Sequence, residues 1–319
     1  MAKAGGPIDI LLASYNGEAG LPAQLASLEA QSRTAWRLIA RDDGSTDGTV
    51  PLLRAFAEKH PGQVEVVQDT LGNLRTLRNF ATLLSRSESP YCMFCDQDDV
   101  WDPDKLAVAV EAMQGLEARY GEDTPLMAVT DRRLMSHDGS LLAPSFWQNQ
   151  GVHPNAVDPR FGFFVYPCAA GSSMLMNAAL RALAQPIPDA AIQYDCWIEL
   201  VAAQFGHAAY VDRPMLTYVR HAGNVSGGGR AYGANRYLAR ARTLASNLGR
   251  QRAVYRRYLA QARAFLDQYG TRMANPDRAR LEALVAMQGA WLPTKLWHAA
   301  RAQALPPGLE RKLAFLILA

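Results

Sequence analysis

Over its first 130 residues the chain alternates two hydrophobic patterns. Largely apolar runs at residues 8–12, 36–41, 64–68, 91–96 and 126–130 read as strands. Between them, residues 21–31, 50–59, 74–85 and 105–120 space apolar side chains three and four apart, as helices with one buried face require. Regular alternation predicts an α/β fold, a mostly parallel Rossmann-like sheet flanked by helices. Between 132 and 167 the period weakens, and Trp147, His153 and several prolines predict a long loop region over the sheet edge. A strand at 170–176 follows, preceded by the small-residue turn Ala169-Ala170-Gly171-Ser172-Ser173. Tyr194 opens a helix carrying Ile198, Val201, Ala202 and Phe205 at helical spacing, with a short strand expected at 208–211, followed by Leu216-Thr217-Tyr218-Val219-Arg220-His221. Gly227-Gly228-Gly229 reads as a hinge, and helices are expected over 235–269 and 277–290.

Three strands of the first half end in polar clusters. The first runs into Ser14-Tyr15-Asn16, the second into Asp42-Asp43-Gly44-Ser45-Thr46-Asp47, and the fourth into Asp96-Gln97-Asp98-Asp99. In an open α/β sheet ligands bind outside the carboxyl ends of the strands, so the clusters are expected to share one crevice. Three carboxylates within four positions repel one another unless a cation lies between them, which points to Mg²⁺ or Mn²⁺ serving a phosphate. The competing reading is one aspartate capping the helix that starts near Asp104, with the others solvated; Asp42, Asp43 and Asp47 likewise carry turn and capping chemistry.

Charge divides the chain. Residues 1–229 carry 17 Lys/Arg against 26 Asp/Glu, and residues 230–319 carry 16 against 4, within an overall +3. An acidic body with a basic helical tail suggests an anionic partner: a membrane surface, an anionic lipid-linked substrate or nucleic acid. Cys92, Cys95, Cys168 and Cys196 form no disulfide-like framework, which suits a reducing compartment; Cys92 and Cys95, three apart on a strand, face opposite sides and do not suit zinc. No signal peptide is apparent, and the charge-free stretch 161–180 is too polar to span a bilayer.

Five motifs in order carry a resemblance: Ala13-Ser14-Tyr15-Asn16-Gly17-Glu18, Arg41-Asp42-Asp43-Gly44-Ser45-Thr46-Asp47, Phe94-Cys95-Asp96-Gln97-Asp98-Asp99-Val100-Trp101, Tyr194-Asp195-Cys196-Trp197 and Tyr218-Val219-Arg220-His221. Across about residues 8–225 the chain resembles family 2 glycosyltransferases, inverting enzymes of the GT-A fold, in particular bacterial members that build surface polysaccharides. The resemblance implies a catalytic domain over 1–229, with a nucleotide-sugar half to about 130 and an acceptor half beyond it, and a helical C-terminal extension over 230–319. It implies a UDP- or dTDP-sugar donor held by Ser14, Tyr15, Glu18 and Asp43. Asp43 as acceptor for a pyrimidine N3–H favours uracil or thymine over cytosine.

Asp98, with Asp96 assisting, resembles the metal-binding DxD element for Mn²⁺ or Mg²⁺. Asp195 resembles the base that deprotonates the acceptor hydroxyl; a plain helix N-cap is its alternative, and Tyr194 stands where the family often has an acidic residue or histidine. His221 aligns with a residue that completes the metal or contacts the diphosphate, against simple packing or exposure. Arg78 matches a basic position near the nucleotide, against a solvated helix face. Gly171 belongs to the small loop against which donor sugar and acceptor lie. The wording Cys-Asp-Gln-Asp-Asp-Val-Trp points to rhamnosyl transfer, onto a glycan or lipid-linked acceptor in a bacterial cytoplasm. A nucleotidyltransferase or a non-catalytic nucleotide-sugar binding module are the alternatives.

The tail lies outside the resemblance. Arg236, Arg240, Arg242, Arg250, Arg252, Arg256 and Arg257 alternate with Tyr237, Leu238, Leu244, Leu248, Tyr255 and Leu259. Two readings stand: peripheral docking on an anionic inner leaflet, or a helical hairpin packed on the catalytic domain or a second subunit. Residues 313–319 are too few to span a membrane and could anchor in one or cap an oligomer interface.

Overall fold

The structure, a computed structural model, describes residues 6–151, 153–156, 160–220 and 248–303 together with Lys312, Phe315 and Leu316. Within these, the chain forms two units: Met1–Ala156, Cys168–Asp189 and Gln193–Arg220 in the first, and Val157–Pro167, Ala190–Ile192 and His221–Ala319 in the second.

The first unit is built on one sheet. Strands β1 (Ile8–Ser14), β2 (Trp36–Asp42), β3 (Val64–Val66) and β4 (Tyr91–Asp96) pair in parallel in the order β3-β2-β1-β4, connected by helices α1 (Leu21–Glu29), α2 (Thr49–Lys59) and α3 (Arg75–Ser85). Strands β1, β2 and β4 are buried on both faces, which is why they read as largely apolar rather than strictly alternating runs, while the edge strand β3 is half-buried. One face packs Ile10, Leu12, Leu38, Ala40, Met93 and Cys95 with Leu21 and Leu25 of α1 and with Leu106, Ala109 and Met113 of α4 (Lys105–Tyr120). On the opposite face Phe94 meets Phe80 of α3 edge-on, ring centroids 5.3 Å apart. Each such fully buried side chain contributes about 1.5–3 kcal/mol.

Beyond β4 the sheet is mixed. Strands β5 (Asp99–Trp101), β6 (Leu126–Ser136), β7 (Leu141–Ala143), β8 (Met174–Asn177) and β9 (His207–Arg220) extend it in the order β4-β8-β6-β9-β5, with β7 beside β6. Strand β8 runs antiparallel to β4 and β6, β9 runs parallel to β6, and β5 antiparallel to β9. Helices α5 (Phe146–Gln150), α6 (Ala178–Leu183) and α7 (Tyr194–Phe205) complete the unit.

This half departs from the sequence expectation in three places. Among the described residues, the expected loop at 132–167 contains regular elements: β6 continues to Ser136 because β9 pairs with it there, so charged Asp131-Arg132-Arg133 is held by long-range backbone bonds. The short strand expected at 208–211 is part of a longer one that runs on to Arg220, and Pro214 sits opposite Asp131 where the register shifts. The strand expected from 170 begins at Met174, after a 3-10 turn at Gly171–Ser173.

In the second unit α8 (Leu248–Tyr269), α9 (Asn275–Val285) and α10 (Leu292–Ala302) enclose Leu259, Ala262, Phe265, Leu281 and Leu284, with Phe164 edge-on to Phe265 at 5.2 Å. Of the basic residues in the expected amphipathic face, Arg252 and Arg256 are exposed and Arg257 donates to the Ile192 carbonyl, 2.8 Å. Arg236, Arg240, Arg242, the glycine run and His221 lie outside the described residues. Among the described residues no helix is long and apolar enough to cross a membrane.

Candidate active site

The register of the parallel half places the three polar strand ends side by side. Ser14 lies opposite Asp42 and Ala13 opposite Asp96, so the loops after β1, β2 and β4 leave one edge of the sheet together. The first two loops are laced to each other. Ser14 Oγ donates to Asp42 Oδ1 (3.0 Å), Asn16 N to Ser45 Oγ (2.8 Å), Gly17 N to Thr49 Oγ1 (2.8 Å) and Glu18 N to Asp47 Oδ2 (3.1 Å). Glu18 Oε2 accepts from Gly48 N (3.0 Å) at the start of α2. The loop after β4 joins through Gln97, whose amide makes a reciprocal pair with the Tyr15 backbone: Tyr15 N to Oε1 at 2.8 Å and Nε2 to the Tyr15 carbonyl at 3.0 Å. Gly17 permits this approach, because a Cβ there would lie 2.2 Å from Gln97 Oε1. The Tyr15 ring remains half exposed above this scaffold.

Asp43 is buried, and its carboxylate accepts Arg41 Nη1, Leu74 N and Arg75 N, each at 2.7 Å. Arg41, also buried, reaches Asp69, Asn79 and the Gly72 carbonyl, so that one cation fixes the loop that faces Asp43. A carboxylate offers about four acceptor sites; three are taken, which leaves room for one further N–H at Asp43. Arg78 is exposed on α3 and pairs with exposed Asp189.

The second cluster gathers where β4, β5, β6, the 171–173 turn and α7 meet. Burial pushes the half-buried Asp96 well above the usual carboxylate range, with the charges of Asp99, Asp98 and Asp195 adding to it and Arg132 opposing. Asp99 is fully buried and pushed up to about 7, chiefly by burial. Neither of its oxygens has a hydrogen-bond donor of normal geometry, although Ser172 lies near enough to favour its ionised form; the buried hydroxyls of Ser172 and Ser173 are likewise unpaired. Asp98 is half-buried beside them.

Asp195 is the second residue of α7. The N-cap position belongs to Gln193, so Asp195 is not the cap. Its Oδ2 accepts from Gly171 N (3.0 Å) and its Oδ1 from Cys196 N (2.7 Å), while burial raises its basicity above that of an ordinary aspartate. Tyr194 is buried beside the acids: its ring packs on Phe80 and Phe94 at 4.2 and 4.5 Å, and a Cβ on Gly171 would lie 2.0 Å from its hydroxyl. Gly171 is thus a glycine because Tyr194 occupies the space of its side chain.

Three charged residues here were not singled out from the sequence. Arg132, on β6, is the cation that acts on Asp96, Asp99 and Asp195, and its guanidinium lies over the rings of Phe146 (4.1 Å) and Tyr218 (4.7 Å). Lys105 is buried over the Trp101 ring at 4.5 Å, and burial lowers it to about 8. Glu199, one turn after Asp195 on α7, is fully buried and accepts from Cys168 N (3.0 Å) and Ala169 N (2.9 Å); burial pushes it up to about 8. Asp195 and Glu199 therefore hold the loop 168–171 at two points. Helical i, i+4 spacing is the signal that could have paired them.

The donor chemistry of this cluster fits a hard divalent cation: carboxylate oxygens that raise one another's basicity, two of them buried without hydrogen-bond donors at Asp99. Among the described residues no three His, Cys, Asp or Glu side chains converge on one point, so the protein would supply few ligands and a bound phosphate the remainder.

Comparison with known proteins bears on both clusters. Residues 9–121 match the family described as Glycosyl transferase family 2. TuaG of Bacillus subtilis (strain 168), whose name attributes to it a glycosyltransferase role in teichuronic acid biosynthesis, is 32% identical over 136 residues, covering 42% of this chain and 50% of TuaG. The dTDP-rhamnosyl transferase RfbG of Shigella flexneri is 29% identical over 105 residues, 32% of this chain and 36% of RfbG. The matches thus span half or less of these relatives' length. Among solved structures, S. aureus TarS 1-349 in complex with UDP-GlcNAc superposes with a TM-score of 0.55 at 12% identity, over 92% of this chain and 88% of TarS. The mannosyltransferase PcManGT from Pyrobaculum calidifontis, in complex with GDP-Man and Mn²⁺, gives 0.51 at 17% identity, over 97% and 86%. The fold is that of GT-A glycosyltransferases, and the part of the chain that matches glycosyl transferase family 2 is the one that carries Ser14, Asp43 and Asp96.

Proposed function

We propose that the protein is a metal-dependent inverting glycosyltransferase that moves a sugar from a UDP- or dTDP-sugar onto a glycan or lipid-linked acceptor in bacterial surface-polysaccharide synthesis. The observation that carries this reading is that the end of β4, with Asp96, packs on the Gly171–Ser173 turn that Asp195 holds, near enough for the charge of Asp195 to raise Asp96. Ser14, Tyr15, Glu18 and Asp43 form the nucleotide side. Asp43 keeps one acceptor site for the N3–H of uracil or thymine, and Glu18 shapes the loop by holding Gly48 N. Asp96 and Asp98 would hold Mn²⁺ or Mg²⁺, which, when bound, offsets charge on the diphosphate. Arg132 adds a fixed positive charge to the same centre, steadied by Phe146 and Tyr218.

In the transfer, the acceptor oxygen forms a bond to the anomeric carbon as the bond from that carbon to the diphosphate oxygen breaks. The hydroxyl proton passes to Asp195, and the nucleoside diphosphate leaves with the electron pair. Raised basicity at Asp195 suits a proton acceptor, and the Gly171 N–H orients its carboxylate. Gly171 and its neighbours form the surface against which donor sugar and acceptor lie. RfbG, named for dTDP-rhamnose, supports a deoxyhexosyl donor. The reaction is placed in the cytoplasm, at the inner face of the membrane where a lipid-linked acceptor would stand.

The test is nucleoside diphosphate release from a panel of nucleotide sugars with and without Mn²⁺ or Mg²⁺. Metal-dependent release of UDP or dTDP is expected, abolished in Asp98→Ala and lowered about 10²- to 10⁴-fold in Asp195→Asn. Pyrophosphate release, or no nucleotide binding with metal present, would overturn the reading.

A further inference from the structure

Helix α10 has its polarity reversed. A surface helix of a globular unit buries its apolar stripe and shows its polar face to water. In α10 the buried positions are Lys295, Ala299 and Ala302. Leu292, Leu296 and Trp297 point out, 50%, 49% and 56% exposed, and Trp291, just before the helix, is 72% exposed. Four large apolar side chains within seven positions form a patch of the kind that marks an interaction site.

The surroundings of the patch select the partner. The Arg301 guanidinium lies beside the patch, 5.3 Å from the centre of the Trp297 ring, and the segment 248–303 to which the patch belongs carries ten Lys/Arg against three Asp/Glu. An occupant must therefore offer negative charge and an apolar layer together, at no more than a side chain's depth from each other. The surface of an anionic bilayer does so, with phosphates in one plane and acyl chains beneath it. Indole rings and leucines enter the boundary while neighbouring cations stay at headgroup level. Helix α10 has eleven residues, far short of the roughly 20 needed to span the hydrocarbon, so the contact is interfacial.

We propose that Trp291, Leu292, Leu296 and Trp297 form a docking face for an anionic lipid bilayer, with Arg301 as a headgroup contact. The inference deepens the peripheral placement given above and does not depend on the transfer reaction.

The test uses the full chain, cosedimented with vesicles of phosphatidylcholine alone and of phosphatidylcholine with phosphatidylglycerol, with sedimentation velocity in the absence of lipid. Binding is expected to the anionic vesicles only and to weaken with added salt. The double substitution Trp291→Ser/Trp297→Ser should lower it at least tenfold, by order of magnitude from the apolar area removed. Arg301→Ala should lower it about fivefold, as one basic residue at such a surface does. Far-UV circular dichroism and Tm of the double variant should match the parent; if they do not, Leu296→Gln takes its place. The proposal fails if no vesicle binds, if neutral vesicles bind equally, if the variant binds like the parent, or if the substitutions convert a lipid-free dimer into monomers. The last result would assign the face to a second copy of this chain. These readouts need no donor sugar, so loss of the glycosyltransferase reading would leave them unchanged.

Discussion

The two sides of the candidate site are built on opposite principles. Around Asp43 and the loops after β1 and β2, the polar groups are tied: Asp43 takes three donors, Arg41 reaches four partners, and Asn16, Gly17 and Glu18 are pinned to the 45–49 turn. Around Asp96 and Asp99, buried carboxylate and hydroxyl oxygens lie unpaired and the charges oppose one another. An unpaired buried polar atom costs about 1–3 kcal/mol. The first side is a scaffold whose hydrogen bonds are made before a ligand arrives; the second stores unmet electrostatic demand, which is what a charged substrate and cation supply.

The contrast makes Asp195→Asn and Asp43→Ala opposites. Asp195→Asn should lose activity at unchanged or slightly higher Tm, since a buried charge is removed. Asp43→Ala should lower stability by about 1–3 kcal/mol, because it leaves the Leu74 and Arg75 N–H groups without their acceptor while Arg41 keeps Asp69; denaturant unfolding reads this directly, and an unchanged midpoint would remove Asp43 from the scaffold.

Gly171→Ala sharpens the comparison where the two sides touch. Its Cβ would collide with the Tyr194 ring and hydroxyl, at a cost of about 1–3 kcal/mol for overpacking. Tyr194→Phe in the same chain should recover part of the loss, since it removes the nearest atom; equal Tm for Gly171→Ala and parent would show that the loop shifts freely.

Glu199 gives a smaller, pH-dependent effect. Its acid is raised from an ordinary 4.5 to about 8 by burial, so between those values the folded chain retains a proton that the unfolded chain has released. Stability from this group therefore falls as pH rises across that window. Glu199→Gln cannot ionise, so the Tm advantage of parent over variant should shrink steadily from pH 5 to 8. A parallel pair of Tm curves would contradict the burial of Glu199 as an acid. The variant should also reduce kcat more than it raises KM, because it loosens the loop that orients Asp195 and not the nucleotide side.

The smallest effect is expected at Arg78. Its pair with Asp189 is exposed on both sides, and such pairs contribute little. Arg78→Ala should leave Tm unchanged; any rise in KM for the nucleotide sugar would then report ligand contact alone.

Legibility in the sequence follows the same division. The parallel half could be read because a strand buried on both faces and the polar turn after it are contiguous in the chain, so Ser14, Asp43 and Asp96 announce themselves locally. Just beyond Asp131, where a loop was expected, the reading failed. There, β6 is held by β9 about 80 residues away in sequence, and charged residues occupy a strand whose backbone partners no local window contains. Arg132, Lys105 and Glu199 were invisible for a related reason: a lone charged residue looks solvated until distant elements bury it.

By itself the sequence determined the strand ends, the carboxylate cluster and Asp195 as the acid opening a helix, because these depend on hydrophobic period and local turn chemistry. Tertiary structure alone decided that Asp195 holds Gly171 and brings its charge near Asp96, that Tyr194 fills the space a side chain at 171 would need, and that Trp291 and Trp297 at α10 turn outward. Those outcomes depend on which surfaces meet and how much water they exclude, and burial is a property of the folded chain as a whole.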